Sequence, residues 1–340
     1  MAISVAGTEW EEFRVPVPIT QEQTVEGWIP EAEVGDGTFS KVLRVKNDKG
    51  ELRASKMFSK GCLSRSYRPV YGPESQPGEE TLLDRISREI LILYRLRDRE
   101  HIVQMIQVLD DPAGDQFHLH LELLQGQIMR WQDCSAYSAQ TAQGRTVAVY
   151  KEWAAKELIR QAARGLEQIH DAGVTYKDLK CENTCYVDKI ALGDAVILRD
   201  LDATATDQEP DANRPDGHPA LKIKLLDFNT SVCSHVIHDA EGTQLYTPPE
   251  CFMGAREGIS GPKRDVWSLG CLMYCVLFGS TPFYGEAPIH LQFAVMGGQY
   301  EVPTSPAISA EAKALLSAML QVDPEQRSSL PDVLSHSWLA

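Results

Sequence analysis

The run Tyr176-Lys177-Asp178-Leu179-Lys180-Cys181-Glu182-Asn183, answered downstream by Asp227-Phe228-Asn229, decides the fold of this chain. It sets a carboxylate, a lysine two residues later and an asparagine five residues after the carboxylate. A second aspartate then follows a separate apolar segment, Leu221–Leu226. Phosphoryl transfer needs such a set: a carboxylate to orient a hydroxyl nucleophile, oxygen ligands for magnesium, and a cation on the phosphates.

The remaining parts lie upstream, in order. Val34-Gly35-Asp36-Gly37-Thr38-Phe39-Ser40-Lys41-Val42 reads as a glycine-rich phosphate loop, with Ser40 where a third glycine would stand. Gly35 and Gly37 would let backbone N–H groups approach phosphate closely. Flanking β-branched residues and the Asn47-Asp48-Lys49-Gly50 turn predict a three-stranded meander. Lys56, in Ala54-Ser55-Lys56 on the third strand, would bind the α- and β-phosphates. Leu82, Ile86, Ile90 and Leu93 recur at helical spacing over roughly residues 81–98. Glu89 on that helix is the natural ion-pair partner of Lys56. A lone G-x-G-x-x-S is ordinarily a turn, and a lone helical glutamate a solvated charge. The order loop, Lys56, Glu89, Asp178, Asn183, Asp227 is specific where each piece is not.

Over roughly residues 28–340 the chain therefore resembles the eukaryotic protein kinases. Gly242-Thr243-Gln244-Leu245-Tyr246-Thr247-Pro248-Pro249-Glu250 looks like the end of an activation segment, and Asp265-Val266-Trp267-Ser268-Leu269-Gly270 like the start of the buried central helix. Arg327 resembles the arginine that pairs with Glu250. The resemblance implies an α+β, bilobal protein-kinase fold, with a β-rich N-lobe holding one long helix and a mainly helical C-lobe. The expected organisation is a polar leader over 1–27, an N-lobe over 28–123 with an insert at 59–80, and a C-lobe over 124–340 with an acidic insert at 192–219. The first insert reads as too rich in proline and glycine for regular structure. The second reads as a mobile hairpin or a disordered loop, and Val149–His170 as one long amphipathic helix.

The resemblance implies ATP and Mg2+. Val34, Val42, Ala54, Cys185 and Leu226 would sandwich the adenine, and backbone groups of Glu122 and Leu124 in the hinge would bond its edge, with Leu121 as gatekeeper. Asn183 and Asp227 would hold magnesium, Asp178 would orient the substrate hydroxyl, and Lys180 would contact the transferred phosphate. Asp-Leu-Lys-x-x-Asn is the serine/threonine form of this loop. Thr243 is expected to order the catalytic loop, and Glu182 to offer a carboxylate to a basic substrate side chain. Within that branch, Val103–Pro112, Glu122–Met129, Gly242–Glu250 and Asp265–Phe283 are similar to the calcium/calmodulin-dependent protein kinase kinases. That similarity implies protein substrates, with activation-loop threonines of other kinases as the class. The chain ends at Ala340, just past the last expected helix, so calmodulin control is not expected of it.

Besides Ser40, three residues depart from the family's core motifs. Tyr176 stands for a histidine that packs beneath Phe228. Lys177 stands for an arginine that often receives an activation-loop phosphate, and lysine is the poorer bidentate partner. Asn229 stands for the glycine after Phe228 and is expected to accept that residue's positive φ. Only Thr230, Ser231 and Ser234 offer hydroxyls between Asp227 and Gly242. Activity is therefore expected to need no activation-loop phosphate.

Composition narrows the classes. The 340 residues are 43% hydrophobic, enough for a substantial core, and carry a formal net charge of −15. Such acidity argues against nucleic-acid or anionic-membrane binding. No stretch reaches membrane-spanning length, and Met1–Gly7 lacks signal-peptide character. Among the eight cysteines, the spacings Cys181/Cys185 and Cys271/Cys275 fit helix or core packing better than zinc. An intracellular, cytoplasmic setting and a role in signal transduction are expected. Two alternatives stay open: a pseudokinase scaffold, which would explain the drift at Ser40, Tyr176, Lys177 and Asn229, and a small-molecule phosphotransferase of similar fold.

Overall fold

The computed structural model describes residues 27–37, 40–63, 67–71, 77–110, 115–129, 146–188, 196–200, 220–254 and 258–340. They fall into two compact units, divided between Leu124 and Gln125.

The first unit holds a five-stranded sheet in the order Trp28–Gly37, Ser40–Asn47, Leu52–Ser59, Gln116–Leu121, Met105–Asp110. β1 (Trp28–Gly37), β2 (Ser40–Asn47) and β3 (Leu52–Ser59) form the antiparallel meander. The β2–β3 turn is closed by Asn47, whose Oδ1 accepts from Lys49 N at 3.1 Å and Glu51 N at 2.9 Å. A short amide that caps its own turn explains why asparagine opens this link. β7 (Gln116–Leu121) lies between β3 and β6 (Met105–Asp110). Helix α2 (Leu82–Arg95) starts at a capping box, with Thr81 accepting from Asp84 N at 3.1 Å and Asp84 Oδ2 accepting from Thr81 N at 2.9 Å. Ile86, Ile90 and Leu93 are buried along one stripe, at about 1.5–3 kcal/mol for each fully buried side chain.

The insert at 59–80 corrects the sequence reading. It holds a short helix, α1 (Lys60–Leu63), and a hairpin of β4 (Tyr67–Tyr71) with β5 (Pro77–Thr81). Pro69 faces Glu79 in that ladder. A two-stranded ribbon has an edge on each side, so proline costs it little. α1 is pinned where Lys60 N and Gly61 N donate to Asp115 O and Oδ1, both at 2.8 Å.

The second unit is built on α3 (Glu152–Asp171) and α4 (Gly261–Phe278). The strand β9 (Thr146–Tyr150) precedes α3, so the predicted helix at Val149–His170 begins slightly later than read. Val147 and Val149 are β-branched, and they pair with β11 (Val196–Asp200). Residues 196–200 of the acidic insert therefore form a strand that pairs with β9; residues 192–195 and 201–219 lie outside the described residues, as does the leader up to 26. α4 is buried on nearly every side. Ser260 caps it through Lys263 N, and Gly279 ends it at φ 74°. At Gly261 a Cβ would collide with Thr175 Oγ1, so only glycine lets this helix start against the bridged segment before the catalytic loop. Glu152, buried at the head of α3, ties down the chain's end: it accepts from Ser309 N at 2.8 Å and Trp338 Nε1 at 2.7 Å. A three-stranded sheet of β12 (Ile223–Leu225), β10 (Thr184–Tyr186) and β8 (Gly126–Gln127) carries the site residues. No helix among the described residues is long and apolar enough to cross a membrane.

Candidate active site

In the first unit, the sheet register places one face of residues together. Val42 opposes Lys56, Lys56 opposes Leu119, and Ala54 opposes Leu121. Directly paired residues share a face, so Val42, Ala54, Lys56, Leu119 and Leu121 lie on one face of the sheet. Gly35 pairs with Val42 and Gly37 with Ser40. Thr38 and Phe39, at the loop's tip, lie outside the described residues. Val34 is half exposed on β1, whereas Ser40 is buried. Lys56 and Glu89 come together: Nζ lies 2.9 Å from Oε1 and 3.1 Å from Oε2. Both are buried, at 8% and 1% exposure, so neither charge is stable there without the other. Beyond β7, Glu122 N donates to Gln104 O at 3.0 Å, and Glu122 Oε1 accepts from Gln104 N at 2.7 Å. That exchange fixes the strand exit leading to Leu124.

In the second unit, β10 and β12 are antiparallel, with Thr184 opposite Leu225. Leu226 N donates to Asn183 O at 2.9 Å, one step beyond that pair. Asn183 and Asp227 thus emerge from neighbouring strand ends. Cys185 is buried in β10, where burial pushes its thiol up to about 12, so it serves as apolar filling, and Leu226 is half-buried at the end of β12. Asp227 takes φ 54°, a left-handed conformation that aspartate tolerates better than most residues. This corrects the expectation for Asn229: the positive φ falls on Asp227, and Asn229 is not among the residues that carry one. Asn229 instead donates from Nδ2 to Asp227 Oδ2 at 3.3 Å. Tyr176 packs beneath Phe228 with ring centroids 5.1 Å apart, and its hydroxyl donates to Leu226 O. Burial, followed by the nearby carboxylates of Asp178, Asp227 and Asp265, holds that phenol protonated as a donor.

Asp178 is held from several directions. Its Oδ1 accepts from Thr243 N at 3.0 Å and Thr243 Oγ1 at 2.6 Å. Its Oδ2 accepts from Asn183 Nδ2 at 2.9 Å and lies 2.9 Å from Lys180 Nζ. Lys180 also donates to Thr243 Oγ1 at 2.8 Å. A carboxylate has about four lone-pair sites, and these four donors fill them. Sequence reasoning placed Asp265 at a helix start and missed its work. Its Oδ2 accepts from Tyr176 N and its Oδ1 from Lys177 N, both at 2.9 Å, and His170 Nε2 lies 2.9 Å from Oδ2. The Arg264-Asp265 dipeptide was the available signal, since two charges opening a buried helix need buried partners.

Glu250 and Arg327 form a bidentate pair at 2.7 and 2.9 Å. Arg327 also donates to Gln321 O and Lys263 O, at 3.0 and 2.9 Å, and its guanidinium lies 5.0 Å from the Trp267 ring centre. Glu182 is half-buried, and its Oε2 has no hydrogen-bond partner among the described residues. Burial pushes its pKa up, against the lowering pull of a backbone hydrogen bond and Lys180.

Asn183 and Asp227 supply one amide and one carboxylate oxygen, a hard pair that suits Mg2+, which binds few protein ligands and keeps water or phosphate oxygens for the rest. No cluster of three or more histidine, cysteine or acidic residues fit for a metal occurs among the described residues.

A family model described as "Protein kinase domain" matches residues 28–339. The chain is 29% identical over 330 residues to the serine/threonine-protein kinase srk1 of Schizosaccharomyces pombe, spanning 91% of this chain and 51% of the relative. It is 31% identical over 314 residues to a calcium/calmodulin-dependent protein kinase type 1 of Caenorhabditis elegans, spanning 90% and 72%. It is 26% identical over 322 residues to the serine/threonine-protein kinase GRIK1 of Arabidopsis thaliana, spanning 93% and 67%. The chain thus spans between half and three quarters of the length of these relatives.

Proposed function

The chain belongs to the protein kinase family, in its serine/threonine branch, and from that premise we propose that it is an active kinase that moves the γ-phosphoryl group of ATP to serine or threonine hydroxyls of proteins. The observation that carries this reading is the saturated carboxylate of Asp178, set by Thr243, Asn183 and Lys180. A scaffold with no turnover has no need to fix that group so closely.

Mg2+, held by Asn183 and Asp227, would neutralise charge on the phosphate oxygens. Lys56, kept straight by Glu89, would do the same for the α- and β-phosphates. Lys180 has a further role in this scheme. Its side chain is the more exposed partner of Asp178, at 21% against 8%. Moving its ammonium onto the transferred phosphate frees one lone pair of Asp178 Oδ2. The substrate hydroxyl can then donate to that position and point its oxygen at the phosphorus, while the Thr243 bonds keep the carboxylate still.

The preferred substrates are proposed to be activation-loop threonines of other kinases. This rests on the similarity to the kinase kinases and on the paired strands β4 and β5 of the insert at 59–80, which stand between Lys56 and Glu89 in the chain. The site of action is proposed to be the cell interior, where the buried thiols of Cys185, Cys251 and Cys271 would stay reduced.

The test is transfer of labelled γ-phosphate from Mg-ATP to basic peptides and to catalytically dead kinase domains, with Asp227→Ala alongside. Transfer to threonine that vanishes in the variant is expected. ATP binding without transfer to any acceptor would instead mark a scaffold.

A further inference from the structure

Lys177, next to Asp178, is wholly buried, and its ammonium lies 2.7 Å from Asp239 Oδ1 and 3.4 Å from Glu241 Oε2. Both carboxylates belong to the segment that ends in Thr243. The backbone completes the grip. Lys177 takes φ 73°, its N–H donates to Asp265, and its carbonyl accepts from Arg264 Nη2 at 3.2 Å. Arg264 donates as well to Glu241 O, and to Asp239 O at 3.5 Å. Between these contacts and Thr243 stands Gly242, at φ 129°, where a Cβ would lie 2.5 Å from Lys177 O. The chain at 239–243 is therefore fastened flat against 177–178, and Thr243 is delivered to Asp178 Oδ1.

We propose that Asp239 and Glu241, gripped by Lys177, hold this segment in its working position with no added phosphate, and that the three are positioning residues for Asp178. The proposal rests on the kinase reading and adds to it how the site is kept assembled. The lysine that seemed a weak phosphate receiver already has two carboxylates in place. Burial draws Lys177 down in pKa against the raising effect of Asp239 and Glu241, whereas Asp239, despite burial, is held below its ordinary value by Lys177 first and Arg264 last. The hydroxyls of the segment point the same way. Thr230 and Ser231 are buried, and Ser231 donates to Tyr176 O at 2.9 Å. Ser234, the exposed one, donates to Val236 O at 2.7 Å.

The experiment uses the whole chain, freed of phosphate by a phosphatase and checked by mass spectrometry. It compares wild type, Lys177→Met, Lys177→Arg, and the Asp239→Asn/Glu241→Gln pair. Two readouts are taken: kcat and KM for ATP, and amide hydrogen exchange over 239–246, with the helix Gly261–Phe278 as the folded control. Dephosphorylated wild type is expected to keep its kcat. Lys177→Met and the double variant should lose about 100-fold in kcat with KM for ATP little changed, because a misplaced Asp178 harms chemistry rather than nucleotide binding. Exchange over 239–246 should quicken in both while the helix stays protected, and Lys177→Arg should recover both readouts. Loss of wild-type turnover on dephosphorylation, or clamp variants with unchanged kcat and exchange, would overturn the proposal. Should wild type transfer phosphate to no acceptor, the kinase reading fails, and the exchange data alone still decide whether the clamp orders the segment.

Discussion

Two buried lysines, one in each unit, solve the same problem and differ in how visible they are. Lys56 meets Glu89 across 33 residues, and Lys177 meets Asp239 and Glu241 across 62 and 64. In both, a desolvated ammonium is stable only because carboxylates come with it. Lys56 and Glu89 each sit in a recognisable setting, a strand after a glycine-rich loop and an amphipathic helix. Asp239 and Glu241 sit in His238-Asp239-Ala240-Glu241, a stretch with no periodicity and no motif. On the proposed function, the comparison separates a cation that would meet ATP from one spent on the protein: Lys177 has 0% side-chain exposure, Lys56 9%.

The largest expected effect tests that separation directly. Lys56→Met should lower kcat about 1000-fold, the upper range for removing one preorganised charge aimed at the reacting group. Lys177→Met should cost about tenfold less, because it acts through Thr243 and Asp178. Steady-state kinetics on the two variants side by side measures the ratio. Equal losses would mean that Lys177 also meets substrate, and the distinction would collapse.

Arg327 offers a buried cation with no part in the chemistry, and so a reference for what burial alone is worth. Arg327→Met strands Glu250, and the loss of stability should be about 3 kcal/mol. Chemical denaturation followed by tryptophan fluorescence would measure it, with Trp267 beside the guanidinium as a local probe. A change below about 1 kcal/mol would place Glu250–Arg327 among ordinary surface pairs.

His120 is the opposite case, a buried base with no carboxylate bonded to it among the described residues. It is fully buried; its ring meets Trp28 edge-on at 5.1 Å and His118 at 6.3 Å. Burial first, then the charges of Arg53 and His118, bring its pKa down to about 4 from 6.5. The folded state thus binds fewer protons than the unfolded one between those values. The stability this neutral ring contributes is complete above pH 6.5 and is lost as pH falls toward 4. The stability of the chain should fall by about 3 kcal/mol across that window, and His120→Phe should flatten the slope. An unchanged slope in the variant would assign the acid sensitivity to other groups.

These cases also show what the sequence could convey. The meander, α2 and α4 were legible because β-branched runs, Leu82, Ile86, Ile90 and Leu93 at helical spacing, and the Asp265–Gly270 motif are local signals. The hairpin Tyr67–Tyr71 with Pro77–Thr81 was not, because prolines that forbid a central strand are harmless in a two-stranded ribbon. At the site, Asp178, Asn183 and Asp227 announced themselves by spacing. The positive φ at Asp227 did not, since sequence points to the residue that tolerates a conformation and not to the one that adopts it. Asp265, Asp239 and Glu241 were hidden for a further reason. An acidic residue in a chain of net charge −15 is ordinarily solvated, and only the tertiary arrangement shows which ones are taken inside.

Glu182 gives the smallest and most specific test of the comparison. It is a half-buried carboxylate whose Oε2 lacks a hydrogen-bond partner among the described residues, and burial raises its pKa although Lys180 pulls it down. Asp239 and Glu241 have their cation within the chain; Glu182 is expected to take one from a substrate. A lysine or arginine of the acceptor peptide would repay part of its desolvation, a gain of about 1 kcal/mol or fivefold, since the pair would remain partly in water. Wild type should therefore favour a basic peptide over its neutral analogue by about fivefold in kcat/KM, and Glu182→Gln should erase that preference while leaving the neutral peptide's kcat/KM in place. A preference that survives the substitution would assign basic-substrate selection to another acidic surface and leave Glu182 as a carboxylate that the fold merely tolerates.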